Sequence, residues 1–411
     1  MTLRETLRAA FLEALQSLDF AGAVRDAIAD VPAELARERV FAIAIGKAAP
    51  AMMQGALASW GARIERAIVV CPDQTPCPLD EDARLEVLRA GHPLPDARSV
   101  DAAARLLALA HGASREDLLL VLVSGGASAL ACAPHAGLGF DTKLDATHAL
   151  LDAGASIEEF NTVRRHLSRI KGGGLTRATR GHVTAFLASD VIGGAPHDIG
   201  SGPTTPDPTT IADARAVLAR YAPQFSSMAL VESLKPTDEA ASRERHSIVI
   251  GPDVLVDHAA RSLARCGLSP SRLSPSKSSV SDLAGEYARL ARSLGPGEAR
   301  LRVAEPSLRV DASPAGRGGR SGHLAAVLAP RLAPGTVFLA GASDGADGTS
   351  GAAGAIVDPS FLTRISMSSH ADHIARFDTA ALHEVAGTAI FTGPTGVNLC
   401  DLHILARAPD G

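Results

Sequence analysis

The residues of this chain that could do chemistry sit in glycine-rich polar segments, most of them directly after an apolar run. Ile43-Ala44-Ile45-Gly46-Lys47-Ala48-Ala49-Pro50 reads as a strand, a Gly-Lys corner and a helix start. Backbone N–H groups at a helix start attract anions, and a lysine there adds a point charge. The corner is not a Walker A loop: Phe41 stands where the first glycine is needed, and no Ser or Thr follows Lys47. Leu122-Val123-Ser124-Gly125-Gly126-Ala127-Ser128 has the same form. Ser124 and Ser128 offer hydroxyls there, while Gly125 and Gly126 let a ligand approach the backbone. A tight packing turn is the alternative for both segments.

Asn161, Arg164, Arg165, His166 and Lys171 lie on a predicted helix that runs into Gly172-Gly173-Gly174. Asn161, Arg164 and Ser168 share a helical face, and a forked guanidinium there could grip a carboxylate or phosphate. A solvated basic helix with a glycine cap is the bland alternative. Ser189-Asp190-Val191-Ile192-Gly193 follows another apolar run, and Asp198-Ile199-Gly200-Ser201-Gly202-Pro203-Thr204 comes soon after. An aspartate at a strand's end suits a base or a metal ligand, and the later glycines and Thr204 suit a phosphate-adjacent loop. An Asx-turn and a rigid loop would explain the same residues.

Ala315-Gly316-Arg317-Gly318-Gly319-Arg320-Ser321-Gly322-His323 joins flexible glycines to two guanidinium groups, a combination suited to a polyphosphate. Counted from Gly316 it is not a dinucleotide fingerprint, because Ser321 takes the place of the last glycine. Asp344 and Asp347, three residues apart among glycines, could reach one Mg²⁺ or one magnesium-bound phosphate, or could simply shape a double Asp-Gly turn. Thr392-Gly393-Pro394-Thr395-Gly396-Val397-Asn398 adds small polar donors after the last predicted strand. Taken together these segments lie in both halves of the chain. They describe a cleft between two domains with phosphate-binding backbone, a few cations and a few carboxylates. Phosphoryl transfer needs little else, since its catalysis is mostly positioning and charge stabilisation.

The elements that must hold these residues alternate. Val40–Ile45, Ala67–Val70, Leu118–Val123 and Val183–Ala188 read as buried parallel strands, with helical patterns at Ser99–Ala110 and Ser156–Ile170 between them. Ser156 and Glu159 form a predicted capping box. This alternation predicts an α/β fold with a helix-flanked parallel sheet. Further strands are expected at Ser247–Ile250, Ser307–Val310, Thr336–Leu339 and Thr388–Phe391, and a surface loop at Ser269–Ser281. Leu7, Phe11, Leu15 and Leu18 recur at helical spacing, so the first residues read as an amphipathic surface helix rather than a signal peptide.

With 411 residues, the chain exceeds the roughly 250–300 at which a single core stops growing, so two domains are expected. The charged stretch Glu232–His246 marks the predicted boundary, dividing the chain into residues 1–236 and 237–411. A net charge of −5 and only 3% aromatic residues argue against nucleic acid as a partner. No stretch reaches the length of a membrane span, and the five cysteines match no zinc or disulfide framework, so a cytoplasmic protein is expected. Lysine is scarce, five among 40 basic residues, so a lysine in a glycine-rich setting draws notice.

In its ordered motifs the sequence resembles the glycerate 2-kinase family of the MOFRL type, members of which have also been labelled hydroxypyruvate reductases. The motifs run from Ile45-Gly46-Lys47-Ala48-Ala49 through Gly91-His92-Pro93-Leu94-Pro95-Asp96, Ser124-Gly125-Gly126, Asn161-Thr162-Val163-Arg164, Ser189-Asp190-Val191-Ile192-Gly193, Gly200-Ser201-Gly202-Pro203-Thr204 and Gly318-Gly319-Arg320 to Thr392–Asn398. The resemblance implies a Rossmann-like three-layer N-terminal domain and a smaller mixed α/β C-terminal domain. It implies ATP, Mg²⁺ and phosphoryl transfer to the 2-hydroxyl of D-glycerate or a related small hydroxy acid. It also implies that Lys47, Asp190 and Arg320 are catalytic. Ser124, Gly125, Gly126, Ser128, Asn161, Arg164, Gly318, Gly319 and Asn398 are then expected to bind substrate or phosphate, and Asp344 and Asp347 to hold the metal. A homodimer is the expected assembly. The chain departs from the family pattern at Ala127, at Ser321 and His323, at Val303-Ala304-Glu305 and at Ala371-Asp372-His373. Two rival readings are an NAD(P)H-dependent hydroxypyruvate reductase and a non-catalytic small-molecule sensor. Against the reductase, no G-x-G-x-x-G follows a predicted strand.

Overall fold

Six parallel strands build the first sheet: β1 (Val40–Ile45), β2 (Ile64–Pro72), β3 (Leu85–Ala90), β4 (Leu118–Val123), β5 (His182–Ala188) and β6 (Glu244–Ile250). The computed structural model that contains them describes residues 1–32, 35, 39–312 and 314–409. The strands run in the order β3-β2-β1-β4-β5-β6, and every pairing is parallel. β1 and β4 are buried along their whole length. Helices cover both faces of such a sheet, so its central strands are apolar without alternation. The helix Ala97–Gly112 packs Ala102, Ala103 and Leu106 against Phe41, Ile43, Val121 and Val123, as the predicted alternation requires. The chain passes from β1 to β2 and β3 on one side, then returns to β4 and proceeds to β5 and β6 on the other. The carboxyl ends of β1 and β4 therefore flank the point where the winding reverses, the place where open α/β sheets bind ligands.

The second sheet is mixed. Its strands are β7 (Ser269–Arg272), β8 (Glu298–Ala304), β9 (Thr336–Ala342), β10 (Gly354–Val357), β11 (Ala389–Ile390) and β12 (Asp401–Arg407), in the order β11-β10-β9-β12-β8-β7. Only β7 and β8 pair in parallel; the other pairings are antiparallel. The helices Leu3–Gln16 and Pro252–Arg265 cover one face, and Val280–Ser293 and Arg320–Leu328 the other.

Two compact units result. One holds Asp19–Ser189 and Gly193–Ile250; the other holds Met1–Leu18, Asp190–Ile192 and Gly251–Gly411. This division differs from a single cut after residue 236 in three ways, the first being that Asp190–Ile192 belong to the second unit. β6 lies beyond that point yet pairs with β5, so its hydrogen bonds belong to the first sheet. The N-terminal helix joins the second unit, where Leu7 and Phe11 are fully buried. A Cβ at Gly341 would stand 2.7 Å from the Phe11 ring, so the strand approaches that helix closely enough to require glycine there. The helix is amphipathic as expected, with this apolar face against the sheet and Glu5, Arg8 and Glu13 exposed.

Ser307–Val310 is not a strand. The strand lies earlier, at β8, where arginines at residues 300 and 302 interrupt the apolar run and hid it from a hydropathy reading. The predicted loop Ser269–Ser281 begins with β7, a short edge strand whose polar sequence gives no alternation. The capping box of Ser156 and Glu159 is present. Among the described residues no helix is long and apolar enough to cross a membrane.

Candidate functional site

Each unit gathers part of the predicted set. In the first unit the corners after β1 and β4 interlock across the reversal point. Lys47 N–H donates to Gly125 O at 2.9 Å, Ser124 N–H to Ile45 O at 2.9 Å, and Ala48 N–H to Ser124 Oγ at 3.1 Å. Gly46 has φ +134°, and a Cβ on it would lie 2.1 Å from Ser124 Oγ, so only glycine lets the two corners meet. Gly126, at φ +90°, lies against the His92 ring and the Lys47 stem. The structure therefore brings Lys47, Ser124, Gly125 and Gly126 together. Ser124, 2% exposed, first of all ties one corner to the other.

A second cluster in this unit lies around Ser128. Its hydroxyl is 2.7 Å from Ser201 Oγ, which in turn donates to Asn161 Oδ1 at 3.2 Å. Lys171 Nζ donates to Ser128 O at 2.7 Å and to its Oγ at 3.1 Å. Ser201 adopts φ +60°, a left-handed conformation that costs a non-glycine residue about 1–3 kcal/mol and is commonest at functional sites. Arg164 lies over the Phe160 ring at 4.9 Å. Its neighbour Arg165 is instead held by Asp198 at 2.7 Å and Asp207 at 3.0 Å, a buried and compensated structural ion pair. Ser168 lies past the helix end and braces the turn, accepting from Ile170 and Lys171 N–H.

In the second unit Arg320 opens the helix Arg320–Leu328 and makes a two-pronged contact with Asp401 at the start of β12: Nε to Oδ2 at 2.8 Å and Nη2 to Oδ1 at 3.0 Å. Ser321 Oγ donates to the same Asp401 Oδ2 at 2.9 Å, so the serine found at this departure from the family pattern has a role in holding that carboxylate. Glu305 lies 3.6 Å from Arg320 Nη2. Burial pushes the Glu305 carboxyl upward, Arg320 pulls it down, and Asp401 and Asp190 push it up again. Burial opposes the Arg320 charge, but Asp401 and then Glu305 outweigh it and hold the guanidinium protonated. Asn398 Nδ2 donates to Asp190 Oδ2 at 3.0 Å, and Cys400 Sγ lies 3.0 Å from Asp190 O. A cavity of about 470 Å³ is lined by Glu305, Arg320, Asp344, Asp347, Asn398 and Asp401 among others.

Two expectations need correction here. Gly318 and Gly319 do not form the flexible stretch their composition suggested. Gly318 O accepts from Thr349 N–H at 2.8 Å, and a Cβ on Gly319 would stand 2.2 Å from Asp347 Oδ1, so this stretch is packed backbone against backbone. Asp347 does not fit a metal ligand: its Oδ1 accepts from Ser321 N–H at 2.9 Å and its Oδ2 from Gly322 N–H at 2.8 Å. It serves the orphan donors at the start of the Arg320 helix. Asp344 accepts from Ala346 N–H at 3.0 Å. No group of three His, Cys, Asp or Glu residues placed to hold a metal occurs among the described residues.

Asp401, Glu305 and Lys143 had no predicted role in the site, while Lys171 and Ser201 were noted only within their polar segments. Asp401 follows Asn398 by three residues, so a longer reading of the last motif reaches it. Lys143 had only the scarcity of lysine to mark it.

Comparison with known proteins assigns this arrangement to a family. Residues 6–234 match the family described as Domain of unknown function (DUF4147), and residues 295–401 match the MOFRL family. The chain belongs to the glycerate 2-kinase family of the MOFRL type. A D-glycerate 2-kinase of Thermotoga maritima is 31% identical over 392 residues, which cover 92% of this chain and 93% of the relative. A protein of Agrobacterium vitis with a provisional hydroxypyruvate reductase name is 33% identical over 434 residues, covering 98% and 94%. The crystal structure of a glycerate kinase from Thermotoga maritima superposes with a TM-score of 0.84 at 27% identity, over 99% of each chain. In this family member, Lys47 and Ser124–Gly126 belong to the parallel-sheet unit, and Asp190, Arg320 and Asn398 to the mixed-sheet unit.

Proposed function

We propose that the protein is an ATP-dependent glycerate 2-kinase that transfers the γ-phosphoryl group of Mg·ATP to the 2-hydroxyl of D-glycerate, or of a closely related hydroxy acid, giving 2-phosphoglycerate. The observation that carries this reading is the 31% identity to a D-glycerate 2-kinase over nearly the whole chain, together with the presence of that family's Lys47, Asp190 and Arg320 motifs. Magnesium supplies charge neutralisation on the phosphates when it accompanies the nucleotide. The committed oxygens of Asp347 leave Asp344 as the one remaining carboxylate of that pair, and no step is assigned to a protein-held metal.

Asp190, steadied by Asn398, accepts the proton of the attacking hydroxyl as its oxygen bonds to phosphorus and the bond to the ADP oxygen breaks. Arg320, fixed in orientation by Asp401, and Lys47 stabilise the charge that spreads over the phosphoryl oxygens. Ser128, Asn161 and Arg164 bind oxyanions of the reactants.

A coupled assay of ADP release with D-glycerate, L-glycerate and tartrate tests the reading, with product NMR to locate the phosphate. Phosphate on the 3-hydroxyl, or no ADP release with any acceptor, would overturn it. The name of the Agrobacterium vitis relative favours one alternative, reduction of hydroxypyruvate. Oxidation of NADH with hydroxypyruvate, without ADP formation from glycerate and ATP, would establish that alternative. The Gly-Lys corner at the sheet's reversal point lacks the glycine fingerprint expected of a dinucleotide site.

A further inference from the structure

Among the described residues, three cations in the parallel-sheet unit are paired with no carboxylate. Lys143 lies on the helix Phe140–Asp152, Arg164 on the helix Ile157–His166, and Lys171 in the turn that follows. Lys143 and Lys171 are each 3% exposed. Lys143 Nζ is buried with no oxygen or nitrogen partner and lies against the Cys132 thiol, and Lys171 Nζ reaches the carbonyl and hydroxyl of Ser128. Among the described residues no carboxylate pairs with any of the three. Adjacent Arg165 makes the contrast, since two aspartates compensate it.

The three groups also feel one another. Burial pushes Lys143 down to about 8; the Cys132 thiol opposes this and Arg164 adds to it. Lys171 is held well below the ordinary lysine value by burial first, then by Arg164 and Lys143. A buried charge is expensive without a partner, and like charges brought together add to that cost. Beside them run the linked polar groups of Ser128, Ser201 and Asn161, with Ser201 kept in its left-handed conformation. Unpaired buried cations next to aligned hydroxyls are the makings of an oxyanion site.

We propose that Lys143, Lys171 and Arg164, together with Ser128, Ser201 and Asn161, form a binding site for an oxyanion that enters with a reactant, either the carboxylate of the hydroxy acid or a phosphate of the nucleotide. The choice of these two sources rests on the kinase reading; the existence of the anion site does not.

Calorimetric titration of the full-length protein with D-glycerate, ADP and inorganic pyrophosphate tests the site in wild type, Lys143→Met and Arg164→Gln. Lys143→Met is expected to weaken at least one of these ligands about tenfold or more without lowering the melting temperature of the ligand-free protein, because the buried ammonium it removes has only the Cys132 thiol beside it and no carboxylate to leave unpaired. Arg164→Gln, at a half-buried position, gives the same reading should Lys143→Met fail to fold. Weakened ADP and pyrophosphate with intact D-glycerate would assign the site to phosphate; the reverse pattern would assign it to the carboxylate. Unchanged affinities in folded variants, or no binding of any of the three by wild type, would overturn the proposal. Glycerate phosphorylation with unchanged variant affinities would keep the kinase and remove this site. Ligand binding that depends on Lys143, with no turnover of glycerate, would keep the site and remove the kinase.

Discussion

Arg320 and Asp401 meet edge to edge, with Nε and Nη2 of the guanidinium at 2.8 and 3.0 Å from the two oxygens of one carboxylate. Asp401 is 2% exposed and also accepts from Ser321 Oγ, so it is fixed from two sides. A fork held in this way has lost its rotamer freedom before any ligand arrives, and its remaining donor edge is set in direction. Glu305, the second carboxylate near the fork, is itself pushed up by burial and by the neighbouring acids.

Asp401 is therefore a positioning residue. Asp401→Asn keeps the shape but turns one acceptor into a donor facing the guanidinium. Turnover should fall by up to ~10²-fold, the scale of a misplaced catalytic group, while the KM for the hydroxy acid changes little. Steady-state kinetics on the variant, with circular dichroism to confirm folding, checks this. An equal rise in KM with unchanged kcat would show that Asp401 acts in ground-state binding instead.

Lys47→Ala and Arg320→Ala should each lower kcat by ~10²–10³, the loss expected for one donor that stabilises transition-state charge. Arg320→Lys should recover little, because an ammonium cannot reproduce the fork that Asp401 holds. Near-normal kcat in folded Lys47→Ala and Arg320→Ala would remove both from the mechanism.

The centre of the first sheet was legible because its middle strands are buried on both faces, whereas the edge strand β3, partly exposed along most of its length, was not predicted. Val40–Ile45 and Leu118–Val123 are unbroken apolar runs, and their predicted limits coincide with the observed ones. The mixed sheet was harder to read. β8 alternates arginine with apolar residues, β7 is a polar edge strand, and β11 is only two residues long. Among the site residues, the glycine corners at Gly46 and Gly126 announced themselves because both need a positive φ and a Cβ would clash there. The roles of Asp347 and Asp401 could not be read locally. Each is an aspartate whose partner lies 26 and 81 residues away respectively, on the helix that begins at Arg320. Sequence spacing grouped Asp347 with Asp344 as a metal pair, whereas hydrogen-bond accounting groups it with Ser321 and Gly322.

That accounting makes a distinct prediction for Asp347. Asp347→Ala strips two helix-terminal N–H groups of their acceptor, at a cost of about 1–3 kcal/mol. Burial holds the native carboxyl up at about 6, so relief of that strained ionisation offsets part of the loss near neutral pH. A lower melting temperature with an unchanged magnesium requirement is the expected result. An unchanged melting temperature with a raised magnesium requirement would restore Asp347 as a metal ligand.

The mixed-sheet unit should be sensitive to acid through three buried histidines. Burial holds His383 and His323 down at about 4 and His403 at about 3, from an ordinary value of 6.5. His383 bonds Thr388 Oγ1 at 2.7 Å and Gly322 O at 2.8 Å, His403 bonds the Tyr287 hydroxyl at 2.9 Å, and His323 stacks on Phe377. Arg302 and Arg320 add to the depression at His403, and His323 and His370 to that at His383. Between the folded and unfolded values the unfolded chain binds more protons. The stability these groups contribute is therefore complete above pH 6.5 and is lost as pH falls from 6.5 towards 4. Asp347 and Glu305 run the other way: their folded values are raised, that of Asp347 to about 6, so their protonation favours the fold as pH falls, but two carboxyls oppose three imidazoles. Each histidine is worth on the order of 3 kcal/mol at most over this range. His323→Leu, at a ring whose Nδ1 has no hydrogen-bond partner, should flatten the acid limb of stability measured by urea denaturation at pH 7, 5.5 and 4.5. An identical slope in wild type and variant would show that His323 is protonated without penalty in the folded state.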